Sequence, residues 1–363
     1  MILAAPHLLL ALRWVPPAFA LMGSTATYIS AWALIRLLTL PLSERCYRRA
    51  EETLYASYQR LVGFLFETWS GVEFHFYGDP LPDAAENVLY ISNHQCTVDW
   101  VVAETLCLRQ GGYGGRNRYI LKDSLKYVPL YGWQLGARGG VFVKRHKDKD
   151  QEKIIRRLNE LVEKDINTWL VIFPEGTRFD PRNPKSIRTS QEQAMTLGIP
   201  RLNHVLSPRT TGFELVLTHI KRHFKAVYDV TIMYDGPEVY KRETLARLPA
   251  PDMFRFFSGY CTKVHIHIRR IPIELLPDTP EEQRKWLYSA YMEKERLIHT
   301  LLTDGKYNQP ELNMPLPLRV TQTSVLFYLA SLVAVVTSPY GASWWVGTIG
   351  LFSAIGLARV RTL

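Results

Sequence analysis

Two long apolar stretches frame the chain, and the hydrophobic period between them alternates between strand and helix spacing. No residue from Val15 to Ile35 carries a formal charge. A bilayer core takes about 20 helical residues to cross, so this stretch predicts a membrane-associated helix. Pro16, Pro17, Gly23 and several hydroxyl residues dilute it. A helix pair lying in the interface is the alternative, with Arg36 and Arg45 at headgroup depth. Val320 to Ala358 is likewise uncharged, and "SPYG" at Ser338–Gly341 interrupts it. Pro and Gly mark a turn, which predicts a helical hairpin, Ser324–Thr337 and Ala342–Ala358. Trp344 and Trp345 would sit near the membrane–water boundary.

The middle of the chain reads as α/β. "NVLYIS" (Asn87–Ser92), "RYILK" (Arg118–Lys122), "GVFVKR" (Gly140–Arg145), "TWLVIFPEG" up to Pro174, "AVYDVTIMY" and "KVHIHIRRI" are compact β-branched and aromatic runs, hence strands. "DWVVAETLCLRQ" has helical spacing. "DKDQEKIIRRLNELVEKD" places Ile154, Ile155, Leu158, Leu161 and Val162 on one helical face. Thr279, Pro280 and Glu282 open a further helix with a capping box and proline at the first position. Strands alternating with helices predict a mixed, mostly parallel sheet flanked by helices, with membrane-associated helices at both termini. The expected organisation is a membrane segment over 1–45, an α/β domain over 46–307, a proline-rich linker over 308–319 and a membrane hairpin over 320–363.

Charge narrows the partners. The net charge of the 363-residue chain is +10, which favours anionic surfaces or substrates. With apolar helices at both ends, a membrane is the natural anionic partner and nucleic acid is not. Arg36, Arg45, Arg48 and Arg49 follow the first apolar stretch, against Arg13 before it. The positive-inside rule therefore puts the middle domain in the cytosol. The endoplasmic reticulum, nuclear envelope and mitochondrial outer membrane are equally open. The four cysteines show no paired spacing and read as reduced thiols.

Three short stretches carry candidate chemistry. In "ISNHQCTVDW", His94 precedes Asp99 by five positions. Five residues on one helix leave two side chains about 140° apart. The pair can meet only if His94 sits on a strand-to-helix turn and Asp99 on the first helical turn. An acid holding one imidazole nitrogen makes the other a competent base. A polar loop with an Asp helix cap is the bland alternative. "FPEGTR" (Phe173–Arg178) ends a strand with a glycine beside an arginine, a good anion cradle. "GGVFVKR" ends another strand with Arg145, and two arginines at strand ends can grip one phosphate. Cys96 as a nucleophile, and His265 with His267 as a metal pair, are weaker readings. The first is too close to His94 in sequence, and the second has no third ligand nearby.

Together the three stretches resemble the glycerolipid acyltransferases, the lysophosphatidic-acid acyltransferases and their relatives. The family's NHxxxxD block matches Asn93, His94 and Asp99. GxxFxxR matches Gly139, Phe142 and Arg145, and FPEGTR matches Phe173 to Arg178 in full. A fourth block matches loosely at "HVLSPRTTG", where Pro208 is present. The resemblance implies His94 and Asp99 as the catalytic pair. His94 would take the proton of a lysophospholipid hydroxyl, which attacks the thioester of acyl-CoA without a covalent acyl-enzyme. Arg178 and Arg145 would hold the acceptor phosphate. Glu175 and Gly176 would position the glycerol part, with Thr177 and Asn93 also among the substrate-binding residues. Lys122 is the candidate for stabilising the thioester oxyanion. The basic run Lys144–Lys147 could meet the phosphates of acyl-CoA. No metal or resident cofactor is implied. The expected partners are acyl-CoA, lysophosphatidic acid or a related lysophospholipid, and the membrane. Acceptors such as lysocardiolipin or lysophosphatidylinositol, and a non-catalytic lipid-binding protein, are the alternatives.

Overall fold

The computed structural model describes residues 12–111, 114–144, 147–236, 240–241 and 246–360. The first apolar stretch forms helix α1 (Val15–Leu38), with proline in its first turn. Helix α2 (Glu44–Gly63) follows, opened by Ser43, whose side chain accepts the Cys46 N–H. Alternating strand and helix then run β1 (Glu73–Gly78), β2 (Val88–Ser92), α3 (Asp99–Arg109), β3 (Asn117–Lys122), α4 (Tyr131–Ala137), β4 (Val141–Val143), α5 (Lys147–Glu163) and β5 (Trp169–Ile172). Next come α6 (Pro184–Thr196), α7 (Thr211–Ile220), β6 (Ala226–Asp235), the short pair β7 (Tyr240–Lys241) and β8 (Ala246–Arg247), α8 (Met253–Phe257), β9 (Lys263–Pro272) and α9 (Pro280–Asp304). Helices α10 (Leu318–Thr337) and α11 (Gly341–Val360) close the chain.

Seven strands form one sheet in the order β1-β9-β6-β2-β5-β3-β4. Every neighbouring pair is parallel except β6 with β9. The sheet is thus mixed and mostly parallel, as the alternating pattern predicts. Strand β2 lies at its centre and all five of its residues are buried. A strand covered on both faces has no solvent side, which is why "VLYIS" is apolar without alternation. On one face Val88 and Tyr90 join a core with α1, α2 and α3; on the other Leu89 and Ile91 join one with α5, α7 and α9.

Some expectations are corrected in detail. Val162 is 45% exposed, whereas Ile154, Leu158 and Leu161 of the same helix are buried. The amphipathic stripe of α5 is therefore narrower than its apolar pattern. Strand β1 and helix α2 were not expected. The first is an edge strand of six residues with a partly exposed face. The second has polar residues that pair inward instead of meeting solvent. Glu51 meets Arg138 and Glu52 meets Arg118, so α2 is bound to the sheet. The proline-rich segment is not a loose spacer. Leu312 donates its N–H to the Phe76 carbonyl at 2.7 Å, and Arg109 Nε donates to the Met314 carbonyl at 2.8 Å. Helix α10 begins at Leu318, inside the expected linker.

Three helices, α1, α10 and α11, are long and apolar enough to cross a membrane. They pack against one another; α1 and α10 also pack onto α2, and α11 onto α4. Both ends of α1 touch the α/β domain. At the start, Trp14 packs edge-on against Phe254 and Arg13 donates to the Ser70 carbonyl. Towards the end, Trp32 packs against Trp133.

Candidate active site

β2 ends at Ser92 and α3 begins at Asp99, so the turn between them presents residues 93–98 at the carboxyl edge of the parallel strands. Ligands of open α/β sheets gather at this edge. The turn brings the expected pair together: Nδ1 of His94 lies 2.7 Å from Oδ2 of Asp99. Asp99 is the first residue of α3 and is wholly buried. Its Oδ2 also accepts the N–H groups of Gln95 at 2.6 Å and Cys96 at 3.0 Å, while Oδ1 accepts Tyr234 OH at 2.7 Å. Burial pushes this carboxyl up. His94 and the Cys96 and Gln95 N–H groups outweigh it and hold the group below the usual carboxylate range. Asp99 is therefore a buried anion facing the imidazole. Nδ1 then carries the proton, and Nε2 is the nitrogen able to accept one. The imidazole packs on the Phe173 ring, with centroids 4.5 Å apart and planes 27° apart. Among the described residues, Nε2 of His94 has no hydrogen-bond partner.

The third block lies against the first. Glu175 Oε1 accepts the His94 N–H at 3.0 Å and Oε2 accepts the Leu206 N–H at 3.3 Å. Phe179 donates its N–H to the His94 carbonyl at 2.8 Å. Glu175 is buried, with both oxygens on backbone donors. Burial pushes its carboxyl well up, and the two N–H groups only partly oppose this. Gly176 takes φ = +66°, the left-handed region that glycine enters without steric cost. Thr177 and Arg178 are exposed beyond it.

Asn93 is placed otherwise than a substrate ligand would be. Its Nδ2 donates to the Ile232 carbonyl at 2.9 Å, and its Oδ1 accepts the Ile232 N–H at 2.8 Å. It joins the turn to β6. Lys122 is exposed at the end of β3, and β5 separates β3 from β2. Two strand spacings make about 10 Å, and no hydrogen bond among the described residues joins Lys122 to the His94 turn. Arg145 lies outside the described residues. The Cys96 thiol is buried, and its Sγ donates to Asp99 Oδ1 at 3.3 Å. Burial and the Asp99 charge push its pKa up, opposite to the needs of a thiolate nucleophile. His265 and His267 are buried in β9. The first stacks on His75 at 5.3 Å and the second bonds Gln309 at 2.9 Å. Among the described residues, no group of three or more His, Cys, Asp or Glu is placed to hold a metal ion.

Sequence reasoning missed Tyr234 and Arg247. Tyr234 is nearly at the end of β6, and its alternation with Ile232 and Val230 could have shown that it faces the α3 side. Arg247 donates to Gln95 Oε1 and to the His204 carbonyl, and its guanidinium lies 4.6 Å over the Phe179 ring. Burial lowers its pKa to about 10 against the pull of Glu175. It comes from a hairpin with no sequence signal for the site.

A base nitrogen facing a buried carboxylate, at the carboxyl edge of a mostly parallel sheet, is an arrangement suited to proton abstraction. Comparison with known proteins narrows the chemistry. The profile of the family "Acyltransferase" matches residues 73–234, and that of "Acyltransferase C-terminus" matches 255–328. The chain is 37% identical over 350 residues to mouse 1-acyl-sn-glycerol-3-phosphate acyltransferase epsilon, covering 93% of this chain and 94% of that one. It is 30% identical to probable 1-acyl-sn-glycerol-3-phosphate acyltransferase 5 of Arabidopsis thaliana, covering 82% and 75%. The crystal structure of the 1-acyl-sn-glycerophosphate acyltransferase PlsC from Thermotoga maritima aligns with a TM-score of 0.46 at 17% identity, covering 84% of this chain and 98% of that one. This chain belongs to the 1-acyl-sn-glycerol-3-phosphate acyltransferase family.

Proposed function

We propose that this protein transfers an acyl group from acyl-CoA to the free hydroxyl of 1-acylglycerol-3-phosphate, giving phosphatidic acid. The observation that carries the reading is the 2.7 Å contact between His94 Nδ1 and the buried Asp99 carboxylate. In this reading His94 Nε2 takes the hydroxyl proton as the oxygen attacks the thioester carbon. Asp99 stabilises the imidazolium that forms. The C–S bond then breaks, and His94 returns the proton to the departing thiolate of CoA. Each carbon–oxygen bond made is matched by one carbon–sulfur bond broken, with no acyl-enzyme between. The loop Gly176–Arg178, at the same edge as His94, suits the acceptor phosphate. Arg145 is proposed to share this role, and Lys122 to meet the developing oxyanion. The basic residues after α1 favour a catalytic domain on the cytosolic face.

The test is acyl transfer by the purified full chain in detergent, from labelled oleoyl-CoA to a panel of lysophospholipids, beside His94→Ala. Acylation of lysophosphatidic acid, lost in His94→Ala, is the expected result. Acylation of a different lysolipid alone would keep the chemistry and overturn the acceptor. Equal activity in His94→Ala would overturn the mechanism.

A further inference from the structure

The loosely matched stretch "HVLSPRTTG" ends up beside the FPEGTR loop. The Leu206 N–H meets Glu175 Oε2 at 3.3 Å, and the Arg209 N–H meets the Pro174 carbonyl at 2.8 Å. These two bonds lay Leu206–Arg209 along Pro174–Glu175. The next residue, Gly176, shows where the Arg209 side chain goes. A Cβ built on Gly176 would stand 3.2 Å from Arg209 Cδ, 3.3 Å from Nε and 3.6 Å from Cζ. The guanidinium therefore lies over the bare face of the glycine. With any larger residue there, the side chain would have to shift.

This places a cation against the very loop that carries Arg178. Both arginines are exposed at the carboxyl edge. Among the described residues, the Thr177 and Arg178 N–H groups enter no backbone hydrogen bond. The Arg209 guanidinium at Gly176, the exposed Arg178 two residues on and the two backbone N–H groups between make a site for a doubly charged phosphate monoester. A phosphodiester, with one charge and two blocked oxygens, would use less of it.

We propose that Arg209 is a further acceptor-binding residue, which with Arg178 grips the phosphate monoester of the lysolipid. This rests on the acyl-transfer reading above and deepens it. Arg209 sits next to Pro208 in a stretch whose departure from the family pattern made it uninformative in sequence. Its role follows from the packing on Gly176.

The experiment compares lysophosphatidic acid with monoacylglycerol of the same chain length, using the full-length protein and its Arg209→Gln and Arg209→Lys variants. Turnover gives KM and kcat for each acceptor. Equilibrium binding to the same variants in a His94→Ala background gives affinity without turnover. Loss of a charge-assisted pair should weaken lysophosphatidic acid by about 10- to 100-fold. Monoacylglycerol and acyl-CoA should keep their KM, and Arg209→Lys should recover part of the loss. Equal weakening of both acceptors would mean a structural role and overturn the proposal. Unchanged affinity for lysophosphatidic acid would overturn it as well. The binding arm decides even if the wild-type protein transfers no acyl group, a result that would sink the acyl-transfer reading instead.

Discussion

The side chain of Glu175 accepts the backbone N–H of His94 at 3.0 Å, from beneath the turn that follows β2. The acid of the FPEGTR stretch thus holds the base in place instead of reaching into solvent. Its second oxygen is taken by Leu206. Removing it should disturb the position of His94 and leave the acceptor's own contacts intact. Glu175→Ala is expected to lower kcat by about 100-fold, the scale of a 1 Å misplacement, with KM for the acceptor nearly unchanged. Glu175→Gln keeps one carbonyl acceptor and should lose less. Steady-state kinetics on both variants check this, and a rise in KM without loss of kcat would return Glu175 to the substrate.

Besides the imidazole, Asp99 accepts the Gln95 and Cys96 N–H groups, the Tyr234 hydroxyl and the Cys96 thiol. Asp99→Asn would place an amide N–H or a weaker acceptor against Nδ1, and kcat should fall by about 10²- to 10⁴-fold. Tyr234→Phe removes one hydrogen bond to a charged oxygen and should cost about 10-fold. If Tyr234 acts only through Asp99, its effect should shrink sharply in the Asp99→Asn background. Additive losses in the double variant would separate the two residues.

Asn93 ties the turn after β2 to the adjacent strand β6 with two bonds to Ile232. Asn93→Ala leaves the buried Ile232 N–H without that partner, whereas the Ile232 carbonyl still accepts the Gln95 side-chain amide. The expected cost is about 1–3 kcal/mol for the unsatisfied group, read as a lower Tm in thermal unfolding. KM for the acceptor should not change in whatever fraction remains folded. A rise in KM at unaltered Tm would restore Asn93 as a substrate residue.

Glu104 sits on α3 with Tyr55 and Tyr119 donating to its Oε1 at 2.8 and 2.7 Å. Burial raises its pKa from 4.5 to about 7, against the lowering pull of the two tyrosines. A carboxyl whose folded pKa is raised favours the folded state in its protonated form. Its contribution is complete below the unfolded pKa and is lost as pH rises through the folded one. Stability should therefore fall between pH 4.5 and about 7 from this group. Glu104→Gln should flatten that part of the stability–pH curve while keeping an acceptor for a tyrosine. An unchanged slope in denaturant unfolding would assign the dependence elsewhere.

Much of the architecture was legible because it rests on local pattern. The continuous apolar run of β2 marks a strand covered on both faces. Thr279, with its side chain accepting the Glu282 N–H, opens α9 as its capping pattern predicts. The uncharged ends form the three apolar helices. Helix α2 was hidden because Glu51 and Glu52 look like solvated charges in sequence. Their partners Arg138 and Arg118 are far along the chain. Strand β1 was hidden because an edge strand with one wet face is only weakly apolar.

The meeting of His94 and Asp99 was readable from local order, because a strand followed at once by a helix turns a five-residue spacing into a contact. The sequence likewise set the sheet type and the apolar helices, which depend on hydrophobic period alone. What surrounds that pair follows from tertiary packing. Tyr234 on Asp99, the Phe173–Gly176 stretch against His94 and Arg209 over Gly176 come from three separate segments of the chain. Parallel strands need long crossovers, so residues that meet at one sheet edge lie far apart in the chain. No local spacing records such meetings, and the packing of the sheet creates them.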